Sequence, residues 1–256
     1  MDRPVPFIHP DRPKPKRQPL KAWRHMQKLI ADKEDTEQVF HIIEALNGNA
    51  TRKDFGRFMR SNNGSYLLEQ RAYLPDILDD HAPLKALPLG TVGRTYVDFM
   101  EREGLTANGL VEESQVNRRE HQNFDDDLLW YANRLRDTHD MYHVLTGYGR
   151  DALGEDALLG YTHSQHGGLG VSFIAFMGNR QIAKAAPKEA RVKEVLAEGR
   201  RNGKAAKRII EQDIVGLLDQ PIEDVRARLN IAEPVLYKQA LEVFKSYDQD
   251  PQLIAA

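Results

Sequence analysis

The chain contains no cysteine. This absence removes disulfides, thiolate-zinc sites, iron–sulfur ligation and cysteine nucleophiles together, so any metal must be held by imidazole and carboxylate. No stretch of about 18 consecutive apolar residues occurs, and no transmembrane helix is therefore readable. Contact with a membrane would be made from the side. Neither sign of charge is in excess: 36 lysines and arginines stand against 38 aspartates and glutamates, a formal charge of -2. Such a balance gives no whole-protein field that would recommend nucleic acid as a partner. Convincing alternating strands, hairpin signals and repeats of fixed period are also missing, which argues against a β architecture or a solenoid.

With 256 residues and 41% hydrophobic content, the chain can build a real core. The opening MDRPVPFIHPDRPKPKRQPLK holds six of the 13 prolines and six basic residues. It lacks the apolar centre of a secretory signal, and its acids and missing serines speak against a transit peptide. We read residues 1–20 as a disordered proline-rich basic lead, 21–248 as one all-helical domain, and 249–256 as a C-terminal tail in a bacterial cytoplasmic protein.

Helical signals recur throughout the central region. Asp35 to Gln38 and Thr51 to Asp54 each resemble a capping box, and Gly48 closes the helix carrying Val39, Phe40, Ile43 and Leu46. Thr91 to Gly104 has the same start and stop. A long helix is expected from about Phe124 to Thr146, with acids at its positive end and Gly147 past its last turn. Its apolar stripe has one skip, at Thr138. Asp151 caps a following helix, Pro187 starts another, and Pro221 falls where a first helical turn tolerates proline. The apolar VSFIAFM, Val171 to Met177, reads as a buried helix rather than a strand, and as core in preference to a ligand groove.

Chemistry concentrates in HDMYHVLTGYGRDALGE, His139 to Glu155. Residues four apart on a helix are separated by roughly 40° of rotation and about 6 Å of rise, so His139 and His143 share one side. Asp140 is near enough in projection to act as a ligand or to hold one. Gly147 and Gly149 let the chain turn back, and Glu155 falls about one turn into the next helix. Two antiparallel helices can bring such groups together, giving a metal site between helices. Imidazole with carboxylate suits zinc, iron, manganese or cobalt, and a carboxylate-dominated variant suits magnesium. A structural polar network without any ion is the alternative reading of the same residues. Arg191 to Arg208, with seven basic and two acidic residues, reads as a solvated helix face or as a contact for anionic lipid head groups.

The HDxxH pattern, followed by eleven residues and then glutamate, resembles the signature of the Coq-four family of coenzyme Q (ubiquinone) biosynthesis proteins. The flanks DTEQVFHIIEALNG, LPLGTVGRTYVDFM, RRNGKAAKRII and DQPIEDVRARLNI are similar in the same order. The likeness spans roughly residues 20 to 230. It implies an all-helical fold, a divalent metal at His139, Asp140, His143 and Glu155 (zinc first among the candidates), and a role in making ubiquinone. It further implies a polyprenylated hydroxybenzoate-type substrate that loses its C1 carboxyl and gains a hydroxyl there, at the surface of the inner membrane. Other ubiquinone-biosynthesis enzymes and peripheral lipids are the implied partners, and a homodimer would be unsurprising. The rival within the family is a nonenzymatic lipid-binding scaffold for the biosynthetic complex. HD phosphohydrolases, with His121 as an upstream ligand, and HExxH peptidases fit less well, because the flanks do not match the former and HDMYH lacks the glutamate of the latter.

Overall fold

The computed structural model describes residues 6–32, 35, 37–116 and 124–251. His121 and the last residues of the expected tail lie outside the described residues, as do the first five of the lead. Among the described residues the fold is all-helical, with a single isolated antiparallel bridge, Thr91 to Pro221, in place of any sheet. In chain order the helices are α1 (Pro19–Ala31), α2 (Glu37–Asn47), α3 (Ala50–Met59), α4 (Gly64–Gln70), α5 (Leu74–Asp79), α6 (His81–Lys85), α7 (Val92–Glu103) and α8 (Ala107–Val116). There follow α9 (Asp127–Asp137), α10 (His139–Thr146), α11 (Ala152–His166), α12 (Leu169–Ala185), α13 (Val192–Ala205), α14 (Ile214–Leu217), α15 (Ile222–Leu229) and α16 (Val235–Ser246).

These helices fall into two compact units. The first comprises the chain through Pro15, Asn49–Leu145 and Arg208–Arg228; the second comprises Lys16–Gly48, Thr146–Lys207 and the chain from Leu229 onward.

In the first unit, α3, α4 and α9 close on a core that includes Phe55, Phe58, Leu68, Tyr131 and Ile210. The Tyr131 ring lies 5.1 Å from Phe58 and 5.2 Å from Phe55. Its hydroxyl donates to Asp54 at 2.5 Å, and Arg208 and Arg57 both donate to the same carboxylate at 2.6 Å. A buried carboxylate is costly unless paired and hydrogen-bonded, and this network supplies both conditions. Asp54 therefore does not serve the capping box expected at Thr51: α3 starts earlier, after Asn49, without a side-chain cap. Thr91 does cap α7, accepting from Arg94 N at 3.4 Å, and Gly104 ends it with φ +67°.

The long helix expected from Phe124 to Thr146 is two helices. Asp126 accepts from Leu129 N at 2.9 Å and so starts α9, while Thr138 interrupts the run with φ -95° and ψ 1°. The Thr138 hydroxyl donates to the Arg134 carbonyl at 2.8 Å, a local side-chain bond that competes with helix continuation. The lead is tied to the cap of α9: Phe7 N and His9 N donate to Asp127 and Asp126 at 2.7 and 3.0 Å, and Arg12 grips Asp126 through Nε at 2.8 Å.

In the second unit α1 packs on α2, α12 covers α2, and α11 is sandwiched by α12 and α13. Ala22, Met26, Ile42, Ala45 and Ile174 form its core. VSFIAFM lies inside α12, as the pattern predicts. Pro187 is followed by a short 3-10 turn, Lys188–Ala190, before α13 begins at Val192.

Candidate metal centre

His139 and His143 stand one helical turn apart on α10, and their Nε2 atoms are 3.3 Å from one another with the rings at 86°. Two nitrogens each about 2.0–2.1 Å from a tetrahedral zinc ion would be separated by roughly 3.3 Å. The pair thus has the edge length of a chelating site. His143 is 1% exposed. Its ring stacks on Phe99 of α7, with centroids 5.7 Å apart and planes at 21°, which limits how the imidazole can rotate.

Arg226 of α15 holds the other end of α10, donating from Nε to Leu145 O at 2.9 Å and from Nη2 to Val144 O at 3.0 Å. The last carbonyls of a helix have no partner within it, and a cation there also opposes the helix dipole. Asp140 is buried beside Tyr96, whose hydroxyl is pushed far above its ordinary pKa first by burial and then by the Asp140 charge.

After α10 the chain turns at Gly147, which adopts φ +77°, a conformation that costs glycine little. Asp151 begins α11, accepting from Leu153 N and Gly154 N at 3.1 Å each. The Tyr237 hydroxyl of α16 donates to Asp151 and accepts from Gly149 N at 3.0 Å. Gly149 serves by leaving space: a Cβ there would lie 2.5 Å from the Tyr237 oxygen, and a Cβ on Gly154 would lie 2.2 Å from Gly149 O.

This locked turn places Glu155 in the first turn of α11, partly exposed and 3.8 Å from Arg150 Nε. Glu155 and Asp156 line an apolar groove of about 660 Å³ whose walls include Met26 and Ile30 of α1, Leu159 of α11, and Ile174 and Met177 of α12. VSFIAFM consequently serves both core and groove. Asp156 accepts from Asn179 Nδ2 at 2.7 Å, and burial pushes its carboxyl up to about 7.

In donor chemistry α10 offers two imidazoles, His139 and His143, and the first turn of α11 offers the Glu155 carboxylate, types that suit a divalent metal. Asp140 offers a further, buried carboxylate on α10. Arg226 braces α10, Tyr237 braces the turn before α11 and Asp156 follows Glu155 in α11, none of them having been singled out from sequence. Arg226 stands within one of the blocks that carried the resemblance, whereas Tyr237 lies in an ordinary amphipathic helix with nothing to mark it.

Fold and site together define an all-helical protein with a helical imidazole pair and a carboxylate just inside the next helix. The family profile described as coenzyme Q (ubiquinone) biosynthesis protein Coq4 matches residues 22–235. The chain belongs to the Coq4 family. It is 31% identical over 164 residues to the ubiquinone biosynthesis protein COQ4, mitochondrial, of Ajellomyces capsulatus, covering 63% of this chain and 55% of that protein. The Homo sapiens COQ4 homolog is 24% identical over 201 residues, covering 78% and 73%. The chain thus spans little more than half the length of the fungal relative. A crystal structure from Nostoc punctiforme superposes with a TM-score of 0.59 at 20% identity, over 85% of this chain and 100% of that one, a likeness in fold alone.

Proposed function

We propose that this chain acts in ubiquinone biosynthesis as a metal-dependent enzyme that exchanges the C1 carboxyl of a polyprenylated hydroxybenzoate-type precursor for a hydroxyl. The observation that carries the reading is the 3.3 Å separation of the His139 and His143 Nε2 atoms within the family's signature. His139, His143 and Glu155 hold one divalent ion, and the buried Asp140 adds negative charge beside the imidazoles. Two neutral imidazoles and a carboxylate are the donor set of many zinc sites and leave a position open.

When bound, the ion supplies Lewis acidity toward a carboxylate or phenolate oxygen of the head group. Exchange of carboxyl for hydroxyl releases carbon dioxide and is a two-electron oxidation, so zinc, which has no redox chemistry, would leave electron transfer to an external acceptor. The chain's own residues bind and orient. Met26, Ile30, Leu159 and Met177 take the isoprenoid tail, removing it from water, while Glu155 and Asp156 fix where the groove becomes polar. Among the described residues no helix is long and apolar enough to cross a membrane. We place the protein on the cytoplasmic side of a bacterial inner membrane, held peripherally beside other enzymes of the pathway.

The test has two readouts. Metal analysis of the purified protein should find about one ion per chain, lost in a His139→Ala/His143→Ala variant. In a strain lacking the gene, Glu155→Gln at matched protein level should leave a prenylated, still carboxylated precursor in place of ubiquinone. Normal ubiquinone in that strain would remove Glu155 from the chemistry and favour a nonenzymatic scaffold.

A further inference from the structure

Along α12, Leu169, Phe173, Phe176 and Arg180 recur at intervals of four, three and four residues, the spacing of one helix face. Leu169 is 49% exposed and Phe176 59%. The stripe therefore presents apolar side chains to solvent and then turns cationic. Trp23 of α1 packs its ring 6.5 Å from Phe173 and remains 46% exposed. From Lys16 to Ala31 the chain carries Lys16, Arg17, Lys21, Arg24 and Lys28 and no acidic residue.

Beside the cationic end of this stripe, α12 and α13 enclose a concavity of about 500 Å³. Arg180 and Lys184 enter it from α12 and Lys193 and Arg200 from α13, with Leu196 in the wall and Phe176 at the rim; no carboxylate lines it. None of the four cations makes an ion pair among the described residues, whereas neighbouring Arg191 lies 3.8 Å from Glu194. Asp156, the carboxylate that feels the Arg200 charge, is buried and engaged by Asn179. Four exposed cations gathered in one concave site, without a protein counter-ion, make it electropositive and suited to an anion.

We propose that this concavity receives the phosphate of an anionic phospholipid head group, and that Phe176, Phe173 and Trp23 lie in the adjoining boundary of the bilayer. Cations beside exposed aromatic and aliphatic side chains are the composition of an interfacial face. A free phosphate would satisfy the cations but gives no role to the apolar stripe, and a nucleic acid would gain nothing from exposed Leu169. Ile30, at the edge of the same α1 surface, also lines the apolar groove, so a lipid substrate would meet that groove close to the docking face. The inference deepens the peripheral-membrane part of the proposed function and rests on it.

The experiment is a partition measurement of the purified full chain on vesicles of phosphatidylcholine, with and without phosphatidylglycerol, at low and high salt. Wild type should bind the mixed vesicles far better, and salt should weaken that binding. One juxtamembrane cation corresponds to about a fivefold change in partition, so Arg180→Gln/Lys193→Gln should lose roughly twenty-five-fold. Phe176→Ser should weaken binding even at high salt, whereas Arg180→Lys/Lys193→Arg, which keeps both charges, should bind like wild type. These positions are exposed, so melting temperature and metal content should not move, which separates failure of docking from failure of the metal centre. Equal binding by wild type and the double glutamine variant would overturn the proposal. So would indifference to phosphatidylglycerol, or displacement from vesicles by inorganic phosphate in preference to sodium chloride of equal ionic strength, which would indicate a site for a soluble anion.

Discussion

Tyr237 gives its phenolic hydrogen to Asp151, a residue 86 positions earlier. The same oxygen accepts from Gly149 N, so one hydroxyl joins both sides of the turn that leads to Glu155. Burial and then the Asp151 charge push the Tyr237 pKa upward, which keeps the donor protonated. Removing the hydroxyl in Tyr237→Phe leaves Gly149 N unsatisfied and Asp151 short of a donor. A hydrogen bond to a charged partner contributes about 1.5–3 kcal/mol. The variant should lose about 2 kcal/mol in urea unfolding and bind metal more weakly; unchanged values for both would show that the turn holds without it.

Gly154→Ala tests crowding in the same turn. The added methyl would meet Gly149 O at 2.2 Å, and overpacking of this kind costs about 1–3 kcal/mol. Alanine is otherwise the better helix former, so a melting temperature equal to or above wild type would contradict the close approach.

Arg226→Ala should loosen the C-terminal end of α10, because Leu145 O and Val144 O lose their donor. The Arg226 side chain is 28% exposed, and the loss should therefore be modest, about 1 kcal/mol. Lysine has no planar fork, so Arg226→Lys should recover only a fraction. Hydrogen exchange at the amides of α10 would report the change; protection equal to wild type in the alanine variant would refute it.

The Asp126 cap predicts a pH dependence. Burial raises its pKa, but Arg12, His9 N and Leu129 N favour the ionised form more strongly, and the net shift is downward from 3.8. A carboxylate lowered in the folded state contributes stability that is present above pH 3.8 and is lost as pH falls through the lowered value. Melting curves taken through the acid range should be less steep in pH for Asp126→Asn, which should also be less stable near neutrality. A variant that kept the wild-type acid slope would assign that slope to other groups.

Much of the architecture was legible because local signals coincide with tertiary demands. Thr91, Gly104, Gly147 and Asp151 perform the starts and stops that their residue types suggest. The imidazole pair was equally readable, since four-residue spacing on a helix decides which side chains meet. Where reading failed, a side chain had a stronger offer from elsewhere in the chain. Asp54 follows the capping pattern but is claimed by Tyr131 and Arg208, 77 and 154 residues away. Thr138 was visible as a skip in the apolar stripe, yet helical periodicity alone does not reveal its bond to the Arg134 carbonyl. Gly149 looked like a source of backbone freedom and instead makes room for a phenol. Tyr237 had no local signature because its importance comes entirely from what it reaches.

The second unit is assembled from three separated stretches of chain, and this has a consequence during biosynthesis. Gly170 N, at the start of α12, donates to Asn47 at the end of α2, but the ribosome releases α2 long before α12 exists. At about 5–20 residues per second the wait is on the order of ten seconds. For that interval Ile42 and Ala45 lack the Ile174 with which they share a core, and the nascent amino-terminal hairpin has no completed unit to join. Closure of this core is therefore paced by translation of the later stretches.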